Sequence, residues 1–125
     1  MSAVLDAGAL IGIDKRDRNI GAMLRLLHRD DVPVRTSASV VAQVWRNGRT
    51  QVDLARVLPG LDIAALDEVA GKRIGELLGA NKTGDIVDAH VALLVEPGDR
   101  VLTSDEPDIK ALLRTRRVRA TIVRV

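Results

Sequence analysis

Two aspartates three residues apart, Asp85 and Asp88, open the stretch Gly-Asp-Ile-Val-Asp-Ala-His-Val-Ala-Leu-Leu-Val that runs from Gly84 to Val95. At 3.6 residues per turn they share one helix face, about 60° apart. After Asp85 nearly every side chain is apolar except Asp88 and His90, and a helix that is apolar almost all round is a buried one. An ionised carboxylate in such surroundings is costly unless it is paired or ligates a metal. No Lys or Arg lies within the stretch to pair with them. Asp6 directly follows the apolar Ala3-Val4-Leu5, and Asp105 follows Val101-Leu102-Thr103-Ser104. Converging carboxylates repel one another and are normally balanced by a cation. Oxygen ligands without Cys or an obvious His pair suit Mg²⁺ or Mn²⁺. A plainer reading stands beside this one. Asp85 is then an N-cap, Asp88 an N3 residue favoured by the helix dipole, and the other acids are caps as well.

The elements that must position these acids follow from periodicity. Ser2 to Leu5 reads as a buried strand, followed by a small-residue helix from Ala7 to Ile13 and a charged loop over residues 14–18. Ile20, Met23, Leu24 and Leu27 recur at helical spacing within an amphipathic helix from Asn19 to Arg29. Val32 to Thr36 is a second strand, with Pro33 near its start where proline is tolerated. Ser37 or Ser39 caps the next helix, which carries Val40, Val41, Val44 and Trp45 and stops near Asn47-Gly48. A short helix from Thr50 to Leu58, a third strand from Leu61 to Leu66 and a helix beginning at Asp67 lead to the central helix. Arg100 to Thr103 is a fourth strand, and Asp105-Glu106-Pro107-Asp108 opens a helix with proline in its first turn. Val118 to Val125 alternates apolar and charged residues as an edge strand. Strands alternating with helices predict an α/β domain with a mainly parallel sheet. Sites in such sheets lie beyond the carboxyl ends of the strands, where Asp6 and Asp105 fall.

The 125 residues amount to one domain, with no linker or repeat. Apolar residues make up 46%, and Trp45 is the only aromatic, so the core is aliphatic. No apolar run approaches the roughly 20 residues of a membrane span, and no signal peptide is evident at the start. The absence of cysteine excludes disulfides and thiolate metal sites, and a cytoplasmic protein is the natural inference. A net charge of +2 does not by itself announce a nucleic-acid binder. The distribution is more suggestive: Arg114, Arg116, Arg117, Arg119 and Arg124 crowd the C-terminus, and Arg46, Arg49 and Arg56 share a middle segment. Solvated helix faces are the ordinary reading of such runs.

Four segments together resemble the motifs of PIN-domain ribonucleases, and among them the VapC-type toxins of toxin–antitoxin systems. They are Val4-Leu5-Asp6-Ala7-Gly8-Ala9-Leu10-Ile11, then Thr36-Ser37 leading to Val44-Trp45-Arg46, then Asp85-Ile86-Val87-Asp88-Ala89-His90, then Val101-Leu102-Thr103-Ser104-Asp105. The resemblance covers nearly the whole chain. It implies a three-layer α/β/α domain with a central, mainly parallel sheet of five strands. It also implies Mg²⁺-dependent (or Mn²⁺-dependent) endoribonuclease activity, a homodimer and a cognate antitoxin. Asp6, Asp88 and Asp105 match the family's metal-binding acids, with Asp85 and Asp108 as additional or second-shell acids. One of them, Asp85 included, would orient the attacking water in an in-line displacement at phosphorus. Thr103 and Ser104 would hold the acids by hydrogen bonds.

The sequence departs from the family at the second motif, where the usual Glu is replaced by Gln43. An amide ligates through its carbonyl oxygen but brings no charge. Arg46 and Arg49 are candidates for contacting substrate phosphate, with a solvated surface as the alternative. His90 points to another helix face than Asp88, and a packing role is favoured. With no Tyr or Phe, recognition of RNA would rest on shape and phosphate contacts rather than base stacking. Three other readings stay open: a degenerate PIN domain that binds RNA or protein without cutting, a different Mg²⁺-dependent phosphohydrolase, and a phosphoacceptor receiver domain. The last wants a pair of acids after the first strand, where Asp6 stands without an acidic neighbour.

Overall fold

The computed structural model describes residues 1–125. Five strands, β1 (Ala3–Leu5), β2 (Val34–Ser37), β3 (Asp62–Ala64), β4 (Arg100–Thr103) and β5 (Thr121–Arg124), form one sheet in the order β3-β2-β1-β4-β5. Every pair is parallel, including the edge strand β5. The sheet expected to be mainly parallel is therefore wholly so, and β5 is shorter than its alternating sequence predicts, starting at Thr121.

Seven α-helices connect the strands: α1 (Ala7–Asp14), α2 (Arg18–Arg29), α3 (Ala38–Val44), α4 (Val52–Val57), α5 (Glu68–Asn81), α6 (Ile86–Leu94) and α7 (Glu106–Arg116). From β1 the chain steps outward to β2 and β3, then returns to β4 and steps the other way to β5. Right-handed crossovers then put the helices that follow β1 and β2 on one face and those that follow β3 and β4 on the other. The packing agrees, since α2, α3 and α4 all touch α1, while α5, α6 and α7 pack on one another. This is the three-layer, PIN-like α/β/α arrangement. A receiver domain has the strand order 2-1-3-4-5, so the order seen here sets that reading aside.

Between the layers lies one core cluster of 21 buried apolar residues, with Val4, Leu5, Leu10, Val91, Val101 and Ile109 among them. As its apolar sequence predicts, α6 is the most enclosed helix: Asp88, Ala89, His90, Val91, Ala92 and Leu94 are all buried. Its C-terminal end is held by Arg116, whose Nη1 donates to Ala92 O at 2.6 Å and Val95 O at 2.8 Å. Gly8 lets α1 approach the loop after β4. A Cβ there would fall on Ser104 Oγ and lie 2.8 Å from Ser104 Cβ.

Candidate metal and active site

Strand direction of travel reverses between β1 and β4, and the carboxyl ends of these two neighbours frame the crevice where parallel sheets bind ligands. Asp6 ends β1, and its backbone N–H donates to Leu102 O of β4 at 3.0 Å. Asp6 also caps α1, with Oδ1 accepting from the Ala7 N–H at 2.7 Å. Its other oxygen, Oδ2, accepts from Thr103 Oγ1 at 2.7 Å. The same Thr103 hydroxyl accepts from the Asp105 N–H at 2.9 Å. Thr103 is fully buried and Asp6 nearly so, so both acids are oriented from inside the protein.

The third element at the crevice is α6. Asp85 is its N-cap and accepts from the Asp88 N–H at 2.9 Å through Oδ1. Capping by Asp85 is therefore compatible with an acidic site that includes Asp88. One oxygen of Asp85 is spent on the cap, while the residue still lines a cleft of about 130 Å³ with Asp88, Asp108 and Thr83.

Carboxylate oxygens of Asp88, Asp105 and Asp108 all lie within 4.8 Å of one another. Asp88 is buried, Asp105 partly so, and Asp108 is exposed on the first turn of α7. Crowding shows in the proton affinities. Burial, then the Asp85 charge, a hydrogen bond to Asp105 and the charges of Asp6 and Asp105 push Asp88 up to about 8. Asp108 is raised too, chiefly by the charge of Asp105. No Lys or Arg forms an ion pair with Asp6, Asp85, Asp88, Asp105 or Asp108. A group of hard oxygen donors with no cationic side chain paired to it suits a divalent ion such as Mg²⁺ or Mn²⁺.

The structure distributes the sequence-predicted residues unevenly. Asp88 and Asp105 meet as expected. Asp108, expected in a supporting place, stands in the tight group, whereas Asp6 is beside it, near enough for its charge to act on Asp88. Thr103 carries the hydrogen bonds; Ser104 is exposed, with its side chain against Gly8. Gln43 is exposed on α3. Arg49 is exposed, while the Arg46 guanidinium turns back on its own helix end, donating to Ala42 O and Trp45 O at 3.1 and 2.7 Å. His90 is 2% exposed and its Nδ1 meets Ser37 Oγ, with burial pulling its pKa down. Its burial and its contact with Ser37 fit a packing role. Sequence reasoning passed over Gln51, a buried amide that joins Asp14, Val44 and the backbone of Arg46 and Asn47. It also passed over Asp99, which accepts from Ser2 and Glu96. Both fix loops, and nothing in their local sequence marks them.

The fold and site define a PIN-like α/β protein with an acidic cluster at its topological switch point. No family model and no curated protein matches the chain. Among solved structures, a chain of VapBC2 from Rickettsia felis, crystallised bound to a DNA fragment from their promoter, matches 100% of this chain and 99% of its own. The TM-score is 0.69 and the sequence identity 16%; the likeness is one of fold.

Proposed function

We propose that this protein is a metal-dependent endoribonuclease that hydrolyses RNA phosphodiester bonds, acting as the toxin of a toxin–antitoxin pair. The observation that carries the reading is the convergence of Asp88, Asp105 and Asp108 within 4.8 Å, without a cationic side chain, at the end of β1 and β4. Asp88, Asp105 and Asp108, with Asp6 beside them, would hold Mg²⁺ or Mn²⁺. When bound, such an ion supplies positive charge at the phosphate and an activated water. Thr103 keeps Asp6 and Asp105 in fixed orientation. Asp85, which lines the cleft and spends only Oδ1 on the cap, would orient the attacking water. Burial of Asp88 excludes bulk solvent from the inner side of the group.

The fold shared with a chain of the VapBC2 complex supports a cognate antitoxin; the homodimer is carried over from the motif resemblance alone. We read residues 1–125 as a single domain around one core and place it in the cytoplasm; no helix is long and apolar enough to cross a membrane. A second reading, a degenerate PIN domain that binds RNA or protein without cutting, is favoured by one observation: the position of the family's Glu is held by the uncharged Gln43. Incubating the pure protein with structured RNAs, with and without Mg²⁺ or Mn²⁺, separates the two. Metal-dependent cleavage that disappears in Asp88→Asn supports the nuclease. Intact RNA under all conditions removes it.

A further inference from the structure

An incoming phosphate meets five acids at the crevice, and their charge opposes its approach. A substrate strand must therefore be held by cations on either side of the scissile bond. Arg46 is committed to the end of α3. At the same end of the sheet, β5 presents Arg124, in register with Thr103 of β4. Arg124 shares the pleat face of Ile122 and Ala120, two residues and four residues before it.

From this point an open groove of about 450 Å³ runs between α7 and β5. Glu106, Lys110 and Arg114 line it from α7, Glu106 being neutralised by Lys110, and Arg119 with the apolar Ala120 and Ile122 line it from the β5 side. Lys110 and Arg114 are one helical turn apart, about 6 Å along the axis. Lys110 is paired with Glu106 at 2.9 Å. Arg114, Arg119 and Arg124 are exposed and have no acidic partner.

We propose that the α7–β5 groove binds the sugar–phosphate backbone of single-stranded RNA leading to or from the acidic crevice, with Arg114, Arg119 and Arg124 as the phosphate contacts. The proposal rests on the nuclease reading and extends it to the surface that holds the substrate. A line of unpaired guanidiniums suits phosphates, which accept bidentate hydrogen bonds. The aliphatic floor accommodates riboses and base edges without stacking. Such a groove discriminates little between bases, because phosphate contacts carry no sequence information.

The test is binding of a labelled oligouridylate in EDTA, which separates binding from cleavage, followed as a function of salt. Each lost phosphate contact on a single strand lowers the log–log salt slope by about 0.7, so Arg114→Ala/Arg119→Ala/Arg124→Ala should lower it by about 2. A control with the same charge change, Arg18→Ala/Arg25→Ala/Arg73→Ala, should keep the wild-type slope. Equal loss in both variants, or in neither, overturns the groove; if metal-dependent RNA cleavage persists, the nuclease reading still stands. Wild-type protein that ignores RNA but binds poly-glutamate through these arginines overturns the proposal and assigns the groove to an acidic polypeptide. Binding of neither probe overturns it as well. Matching melting temperatures of the two variants exclude misfolding as the cause of any loss.

Discussion

Thr103 Oγ1 donates to Asp6 Oδ2 at 2.7 Å, joining residues 97 positions apart across the β1–β4 boundary. A hydroxyl has one proton, and giving it to Asp6 leaves its lone pairs for the Asp105 N–H at 2.9 Å. Thr103→Val keeps the shape and removes both bonds. Leaving a buried carboxylate oxygen and a backbone N–H short of partners should cost about 1–3 kcal/mol, read by chemical denaturation. In a double-mutant cycle with Asp6→Asn the two losses should not add. Additive losses would mean that Thr103 supports the fold independently of Asp6.

The raised pKa of Asp88 makes metal-free stability depend on pH in a definite direction. The folded carboxyl titrates at about 8 against 3.8 as the ordinary value, so the native state holds a proton that the unfolded chain releases. Stability is therefore full below the ordinary value and is lost as pH rises through about 8. In EDTA the melting temperature should fall from about pH 5 to about pH 8. Asp88→Asn should flatten that fall and melt higher than wild type at the alkaline end. A wild-type melting temperature that rises over the same interval contradicts the crowding of the acids.

Calorimetric titration with Mn²⁺ should show a site that Asp88→Asn largely abolishes and Asp108→Asn weakens. Gln43→Glu adds a charged oxygen at the position where the motif resemblance implies one, and under that alignment should tighten binding. Unchanged affinity in Gln43→Glu would turn that side chain away from the ion. Unchanged affinity in Asp88→Asn would leave the cluster as a set of helix caps.

Gly8→Ala should destabilise the protein by about 1–3 kcal/mol, since the added Cβ overlaps Ser104 and overpacking is relieved only by moving the backbone. The displaced loop carries Asp105, so metal affinity should fall with stability. Shortening the neighbour in Gly8→Ala/Ser104→Gly should recover part of both. A melting temperature equal to wild type would show the loop to be free to move.

Most elements were legible because each announces itself locally. Apolar Ala3–Leu5 ends at a capping Asp6, α2 repeats its apolar residues at helical spacing, and Asp67 and Asp85 stand where their helices begin. Asp88 stood out because an acid without a partner in an apolar helix needs an explanation. What the sequence left open is relational. Alternation in residues 118–125 reads as an edge strand but carries no direction, and only the crossover through α7 makes β5 parallel. Asp108 and Asp6 are both acids near caps; their unequal distances from Asp88 depend on how α7 leans on α6, a matter of tertiary packing. The same holds for Thr103, whose threonine-in-a-strand appearance hides two hydrogen bonds to residues of the crevice.

The reach of 97 positions between Asp6 and Thr103 has a bearing on how the protein is made. A ribosome delivers Asp6 well before Asp88, Asp105 and Asp108, which follow it by 82 positions or more. Until β4 inserts beside β1, that first acid has no partner in the crevice, and pairings of such long sequence separation form late because closing the loop must precede any reward. Partly synthesised chains therefore hold an incomplete set of ligands. Under the proposed function, the nascent polypeptide would remain harmless to the message and the machinery producing it until translation of the cluster is complete.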